Sequence, residues 1–399
     1  MKKHFAVIAT LSVFVAGIIS CSKLMPGAPA ADNILDGPAE GLTSEQNRIF
    51  LRGDIAFNDE IFSQSNGLGP LFVNNSCGSC HAGDGKGHPF TTLTRFGQSD
   101  TLGNQFLHLG GPQLQHRGII GFQTEQIPAG ATSSSFTPPA NTGLGFFEAV
   151  SDATLLSLAD EKDSNGDGIS GRPNWVTVPQ YLLLRPGTVL RNNKYIGRFG
   201  KKAAVYDLMQ QTVNAYNQDM GINSTYEHYN TYNGQEADPE VANQTVHDVV
   251  FYLQTLKAPI QRLQNDRDVK AGRALFDDIN CGKCHIPELT TGSFPIAALS
   301  NKTFFPFTDL LLHDMGPALD DHYTEGTALT SEWRTPALWG LGLSKNSQGG
   351  QLFLMHDGRA RTIDQAIILH GGEGLQSAQN FQQLTSDQKK QLIKFLESL

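Results

Sequence analysis

Two short cysteine motifs constrain this chain more than any other feature of its sequence. Each has two cysteines three positions apart followed directly by a histidine: Cys77-Gly-Ser-Cys80-His81 and Cys281-Gly-Lys-Cys284-His285. A Leu-Phe pair precedes both motifs by the same distance, so the string L-F-x-x-x-x-C-G-x-C-H repeats 204 positions later (281 − 77). Apart from Cys21, these are all the cysteines of the chain, and none is left over for a disulfide.

The pattern C-x-x-C-H indicates covalent attachment of a c-type haem. Two thiols at this spacing reach the two vinyl groups of one porphyrin, and the adjacent histidine becomes a ligand of the iron. Two alternatives are open at this level: the cysteine pairs could share one tetrahedral zinc ion, or act as dithiol redox pairs. The histidine that follows both pairs favours haem, so the sequence predicts two covalently bound haem c groups.

The first twenty residues have the pattern of an export signal. Lys2 and Lys3 precede an apolar run that is too short to span a membrane, and small residues lead up to Cys21. The string Ile18-Ile19-Ser20-Cys21 resembles the lipobox of bacterial lipoproteins, which predicts lipid attachment at Cys21; the alternative is ordinary signal cleavage beside an incidental cysteine. We therefore expect an exported chain, lipid-anchored on the periplasmic side of a bacterial membrane.

Length and composition predict the domain organisation. Residues 1–20 form the signal, and the Pro-, Ala- and Gly-rich residues 21–42 form a lipid-anchored tether. The rest is long enough for two haem domains, over 43–262 with insertions and over 263–399. We expect a mostly α fold with two cytochrome c-like haem domains, long loops and few short strands.

The balance of charges bears on the partners of the chain. The formal charge is −9 and becomes −11 once Lys2 and Lys3 are removed with the signal. An acidic surface argues against binding to nucleic acid and favours a basic or neutral redox partner.

Capping signals predict where helices begin. Thr43 with Gln46 forms a capping box, which predicts a helix starting there. Further helices are predicted over about 203–220 and 241–256, and from Val269 to Phe276.

A second capping pattern, Thr362 with Gln365, opens a helix near the C-terminus. His370 follows Ile363 by seven positions, so we predict it on the buried face of this helix. A histidine there is either a packed core residue or an iron ligand.

One loop has the spacing of a calcium site. Asp163, Asn165 and Asp167 place oxygen atoms at alternate positions, and Gly168 follows, as in the first half of a calcium-binding loop. The twelfth position is Asn174, which cannot supply the usual bidentate carboxylate. Two interpretations of this loop are open: a calcium-binding site and a tight turn rich in Asp and Asn.

Other polar residues are candidates for the surroundings of the haems. A sixth iron ligand could come from His88, His108 or His116, although each could equally be a surface histidine. Glu125 or Glu148, placed over a haem, could act as general acid and base on bound peroxide. The alternative for each is a solvated carboxylate.

Several strings together resemble one protein family. They are GDGISGRPN, IGRFG, LLLHDMGPAL, EWRTPALWGLG, HDGRARTI and ILHGGE. They are similar to the bacterial di-haem oxidoreductases, a family related to the di-haem cytochrome c peroxidases. The resemblance implies two c-type domains, of which one receives electrons and passes them to the other, where peroxide binds. Lys201 stands where we expect the tryptophan of this family.

The resemblance also implies an axial ligand for the second iron. In the related peroxidases this ligand lies fourteen residues after the histidine of the F-x-x-H-D-G-R region, and counting from His356 gives His370. We therefore predict that His285 and His370 bind the second iron, with Met315 as the rival ligand.

For the first haem, the resemblance implies a glutamine and, ten residues later, a catalytic glutamate. Gln115 and Glu125 keep this spacing. The peroxidases also have a histidine that binds the first iron reversibly, and Gly97 stands at its position. We therefore expect a five-coordinate or water-ligated first iron.

Three functions are open. The leading hypothesis is an enzyme that reduces hydrogen peroxide at the first haem, using electrons that a small redox protein or cytochrome delivers through the second. The second is an electron carrier in which both irons are six-coordinate. The third is an oxidase or maturase that acts on a protein or organic substrate.

Overall fold

The computed structural model describes residues 30–399. The predicted signal, Cys21 and the tether up to residue 29 lie outside the described residues. Residues 30–34 belong to a separate N-terminal unit with one 3₁₀ turn, Ala31–Asn33, and the chain from Leu35 to Leu399 forms one compact unit. Within the described range no helix is long and apolar enough to cross a membrane.

Helices connected by long loops make up most of the regular structure. The α-helices are α1 Ser44–Asn58, α2 Cys77–Cys80, α3 Leu144–Ala149, α4 Asp152–Leu158, α5 Leu208–Asn214, α6 Asn243–Thr255, α7 Arg267–Asp278, α8 Ser344–Ser347, α9 Ile363–Ile368, α10 Leu375–Gln383 and α11 Ser386–Ser398. A π-helical turn, Ala215–Asp219, continues α5. The prediction of a mostly α fold is confirmed.

The strands are short and form antiparallel pairs. They are β1 Leu71–Phe72, β2 Leu93–Phe96, β3 Arg117–Gly118, β4 Ser133–Phe136, β5 Trp175–Val176, β6 Tyr195–Ile196, β7 Leu289–Thr290, β8 Thr303–Phe304, β9 Leu312–Asp314 and β10 Glu332–Arg334. The pairs are β1 with β3, β2 with β4, β5 with β6, β7 with β8, and β9 with β10. The few short strands that the sequence analysis expects are thus present.

The last residues of the predicted tether, which we expect to end at residue 42, pack against the folded chain. The Ala39 amide donates to the Thr255 carbonyl at 2.7 Å, and the Lys257 amide donates to the Gly37 carbonyl at 2.9 Å. Ala39 is buried. This segment is therefore part of the compact unit, where its backbone pairs with the end of α6.

A helix crossing precedes the first cysteine motif. The capping box of Thr43 and Gln46 is present and starts α1. Helix α1 packs against α6 at Gly53, where a Cβ atom would lie 2.1 Å from the Asp248 carbonyl oxygen. Only glycine permits so close an approach of two backbones. Phe57, in the last turn of α1, is buried beside the motif.

The same construction precedes the second motif. Helix α7 packs against α11 at Gly272, where a Cβ atom would lie 2.0 Å from the Gln391 carbonyl oxygen. Phe276, near the end of α7, is buried beside the second motif. The two cytochrome c-like domains and their boundary between residues 262 and 263 stay predictions.

The Leu-Phe pairs that repeat in the sequence do not occupy equivalent places. Phe276 lies in a helix, whereas Phe72 lies in strand β1. The aromatic neighbour of His81 is Phe57, with 5.9 Å between the ring centroids, and the neighbour of His285 is Phe276, at 6.4 Å. Phe57 is therefore the structural counterpart of Phe276.

Two helices differ from the sequence-based predictions. Helix α5 begins at Leu208, after Asp207 caps it, and not near residue 203. Helix α9 ends at Ile368, so His370 lies beyond its C-terminus and not on its buried face. Thr362 caps α9 as predicted, because its side chain accepts from the Gln365 amide at 3.1 Å.

Candidate functional site

One internal cavity has both cysteine motifs in its wall. The space inside it measures about 2960 Å³, including its openings to solvent, and its wall is mostly apolar. The six motif residues that the sequence singles out all line it: Cys77, Cys80, His81, Cys281, Cys284 and His285. Side chains of α1, α5, α7, α9 and α10 complete the wall. The fold therefore surrounds both motifs with apolar side chains.

The two motif histidines are held in the same way. His81 Nδ1 donates to the Pro139 carbonyl, and His285 Nδ1 donates to the Phe307 carbonyl, each at 3.0 Å. Burial lowers the pKa of both rings to about 4, so both are neutral at pH 7. A neutral imidazole with Nδ1–H bound to a carbonyl presents Nε2 to a metal. Both rings can therefore offer Nε2 as a ligand to an iron ion.

The motif thiols are only partly exposed, and burial raises the pKa of all four. Burial raises the pKa of Cys77 and of Cys281 to about 12. All four motif cysteines are free of disulfides. Two thiols and one oriented histidine on each motif fit two haem c groups. For the zinc alternative, the described residues contain no cluster of three or more His, Cys, Asp or Glu side chains that could hold a metal ion.

His370 lines the same cavity as the second motif. Its Nδ1 donates to the Ala366 carbonyl at 2.7 Å, as in the two motif histidines. Burial lowers the pKa of His285, and His370 is the next largest influence on it, so the two rings are near neighbours. Met315 also lines the cavity. Both side chains line the cavity, and the choice of His370 as the ligand stays a prediction.

Gln115 and Glu125 are joined to each other but do not line the cavity. Glu125 Oε2 accepts from the Gln115 amide at 2.6 Å. Burial raises the pKa of Glu125. The Gln115 side chain donates to the carbonyls of Asn217 and Gln218, at 3.2 and 3.1 Å. Through the Gln115 side chain, the pair therefore holds the backbone of the π-helical turn in place.

Asp219, which the sequence analysis did not single out, lies in the cavity wall at the end of this turn. Burial raises its pKa to about 6, and Gln113 donates a hydrogen bond to it. Its charge in turn raises the pKa values of Cys77 and Cys80, so it lies near the first motif. No sequence motif marks this residue.

A buried histidine between two carboxylates lies beside the second motif. His313 donates from Nε2 to Asp309 at 2.8 Å and from Nδ1 to Glu373 at 2.6 Å, and Cys284 Sγ lies 3.6 Å from Nδ1. Burial opposes a charge here, but the hydrogen bonds with Asp309, Cys284 and Glu373 raise the His313 pKa well above its ordinary value. Glu373 also accepts from the Ser170 hydroxyl at 2.5 Å. We call Asp309, His313 and Glu373 the imidazolium cluster.

The predicted calcium loop is an Asx-rich turn in this structure. Asp163 accepts from the amides of Asp167 and Gly168 at 2.9 and 3.1 Å, and Asn165 accepts from the Asp167 amide at 2.9 Å. The Asp167 carboxylate pairs with Lys283 of the second motif at 3.0 Å. These contacts favour the turn, and calcium gains no support.

The remaining sequence candidates lie away from the cavity wall. His88 packs against Phe90 and Phe353, with 4.6 Å between ring centroids in both pairs. Glu148 uses both carboxylate oxygens, accepting from the Leu208 amide and the Gln254 side chain. The residues outside the wall are His88, His108, His116 and Glu148.

Comparisons with known proteins identify a family. Residues 135–399 match the family model described as "Di-haem oxidoreductase, putative peroxidase". No curated protein matches the chain. Among solved structures, hydrazine synthase of Kuenenia stuttgartiensis, pressurised with xenon, is 13% identical over 94% of this chain and 98% of that one, with a TM-score of 0.40. A MauG-like protein associated with microbial copper homeostasis is 14% identical over 65% and 89%, with a TM-score of 0.33. Neither likeness is close enough to support an argument.

Proposed function

The chain belongs to the family of di-haem oxidoreductases, and from this we propose that it is a di-haem c-type enzyme that reduces hydrogen peroxide to water. Cys77, Cys80 and His81 hold the first haem, and the motif of His285 holds the second. The bound haems supply the redox chemistry, and the chain supplies orientation, electrostatics and protons.

The observation that carries the proposal is the asymmetry of the two motifs. His285 has His370 as a near neighbour with Nδ1 bound to a carbonyl, so this pair suits a six-coordinate, electron-accepting haem. The other described histidines of the wall, His313 and His356, have Nε2 bound to carboxylates. His81 thus has no comparable partner, and this supports an open face on the first haem, where peroxide binds.

The reaction needs protons as well as electrons. Hydrogen peroxide takes up two electrons and two protons to give two water molecules. A small redox protein or cytochrome would supply the electrons, and a haem held by Cys281, Cys284 and His285 would accept them. Asp219 is our candidate to hold a proton near the first haem, because it lines the cavity and burial raises its pKa to about 6. Glu125 is the candidate implied by the family spacing.

The proposal is tested on the purified holoprotein by mass, electron paramagnetic resonance and absorption during titration with peroxide. We expect the mass of two haems, one high-spin and one low-spin iron, and peroxide-dependent oxidation of a reduced cytochrome. Fewer than two haems would refute the proposal. Two low-spin irons in both the oxidised and half-reduced forms would leave only the electron carrier. Oxidation of an added protein or organic substrate without cytochrome turnover would favour the oxidase or maturase.

We also propose that the enzyme is exported and held on the periplasmic side of a bacterial membrane by a lipid on Cys21. The sequence pattern before Cys21 supports this. Incorporation of a labelled fatty acid into the chain, and its loss in Cys21→Ser, is the test. A mature protein that carries no acyl group would contradict it.

A further inference from the structure

Three cationic side chains line the cavity, and one of them lies near the first motif. Lys86, Lys201 and Arg334 all line it. Each is partly buried. The charge of Lys201 lowers the pKa of His81, so this group is close to the first motif. Lys86 follows His81 by five positions.

Within residues 30–399, none of these cations has a carboxylate at ion-pair distance. Among the described residues, Lys86 Nζ makes no hydrogen bond or ion pair. Lys201 Nζ reaches only the Thr137 hydroxyl, at 3.5 Å. Arg334 donates to the Gly200 carbonyl at 2.9 Å. The neighbouring Lys202 differs, since its Nζ donates to three carbonyl oxygens at 2.7–3.3 Å.

Buried cations without a counter-ion are costly, because their charge loses its hydration and gains no opposite charge in return. Burial, and the neighbouring charges of Lys86 and Arg334, lower the pKa of Lys201 to about 7 although Asp357 acts to raise it, and burial lowers that of Lys86 to about 8. Burial also lowers the pKa of Arg334, which Asp309 only partly offsets. A bound carboxylate beside them would offset this cost. The cluster therefore has the chemistry of an anion site, and its place in the wall directs that anion into the cavity.

A haem brings such an anion into this cavity. Its two propionate carboxylates lie on the porphyrin edge away from the vinyl groups, and the cysteines fix the vinyl edge. We infer that Lys86, Lys201 and Arg334 form the binding site for the propionates of the first haem. The inference rests on the proposed function for the presence of that haem. Lys201 then supplies a charge where the family has an aromatic ring.

The test uses the holoprotein with Lys86→Gln and Lys201→Gln, and Lys302→Gln as a matched control at an exposed lysine. A propionate that loses its cation leaves more negative charge near the iron and favours the ferric state. We expect the equilibrium between ferric and ferrous first haem to shift about tenfold toward ferric in each variant, which is about 59 mV for a one-electron couple. The propionate-bending band in the resonance Raman spectrum should shift as well. Lys201→Arg should restore both.

A shift below threefold in both glutamine variants, or an equal shift in Lys302→Gln, would overturn the inference. So would a potential change without any change in the propionate band, or a change confined to the second haem. A potential that depends on added acetate would assign the site to a free carboxylate instead. Failure of the proposed function would give a different result. The wild-type protein itself would then carry fewer than two haems or show two low-spin irons, independently of the results for the lysine variants.

Discussion

Backbone carbonyl oxygens orient the histidines that face the cavity. The carbonyls that hold His81 and His285 lie 58 and 22 residues further along the chain. The C-x-x-C-H motif therefore predicts which histidines bind iron, because the covalent spacing is local. It cannot predict how the rings are turned, because that depends on residues that only the tertiary fold brings near.

Replacing His370 tests the ligand of the second iron. In His370→Ala we expect the second haem to become high-spin in absorption and electron paramagnetic resonance, because the iron loses its sixth ligand. Met315→Leu is the matched control and should leave that haem low-spin. The opposite result, a low-spin haem in His370→Ala and a high-spin one in Met315→Leu, would assign the ligand to the methionine.

Replacing Asp219 tests the proton donor at the first haem. Asp219→Asn should slow peroxide cleavage by about 10²- to 10⁴-fold, the usual effect of losing a general acid. Because burial raises the pKa of Asp219 to about 6, the carboxyl holds its proton below that pH. The wild-type rate should therefore fall as the pH rises through about 6, and stopped-flow measurements should show this dependence lost in the variant.

Glu125→Gln is the companion variant, and we expect less than about a tenfold loss there, below the usual range for a general acid, because Glu125 is not in the cavity wall. If Glu125→Gln alone shows the large loss, the acid is Glu125 and the family spacing of Gln115 and Glu125 is the better guide.

At the scale of elements, local signals in the sequence predict helix starts and miss long-range partners. The Thr43 capping box and the aromatic end of α7 are as predicted, since both depend on residues within one or two turns. Phe57 was missed because α1 ends 19 positions before Cys77 (77 − 58), and only tertiary packing brings them together. The imidazolium cluster was missed because Glu373 is 60 residues from His313.

The imidazolium cluster links the second motif to the 3₁₀ turn Gly372–Gly374, which follows His370 in the chain. His313→Gln leaves Asp309 and Glu373 near each other without a cation between them. We expect this to lower the free energy of unfolding by about 3–5 kcal/mol, the usual effect of removing one partner of a buried ion pair. The folded pKa of His313 is raised, so its stabilisation is complete below its unfolded pKa near 6.5 and is lost as the pH rises through the folded value.

Urea unfolding over a range of pH measures this difference. The pKa of Glu373 is lowered in the folded state. The stabilisation that its carboxylate contributes is therefore lost as the pH falls below the unfolded pKa near 4.5. The gap between wild type and His313→Gln should be widest between these two values and should shrink at alkaline pH. His322→Gln, at an exposed histidine, is the control. A gap that widens with rising pH would contradict the charged imidazole.

At the scale of the whole molecule, the compact unit is built around a space that its own side chains do not fill. One large core contains α1 and α6, a second contains α7 and α11, and the cavity wall draws residues from both. Because apolar wall atoms without packing partners lose their contacts, two haems would complete the interior.

The chain with Cys77, Cys80, Cys281 and Cys284 all replaced by alanine tests this dependence. We expect it to lose near-ultraviolet circular dichroism, to melt at a clearly lower temperature than the holoprotein and to be cut rapidly by protease, because a ligand that binds only the folded state stabilises it. Equal melting temperatures for the two proteins would show that the fold is independent of the haems.

The burial of the four motif thiols has a consequence for biosynthesis. With a pKa of about 12 for Cys77 and Cys281, only about one thiol in 10⁵ is ionised at neutral pH, so a chain that closes early presents sulfur atoms that hardly react. In an unfolded chain the same thiols are accessible and have ordinary acidity. If the chain carries the two haems that we propose, we therefore expect the porphyrins to be joined while the polypeptide is still open, and the chain to fold around them afterwards.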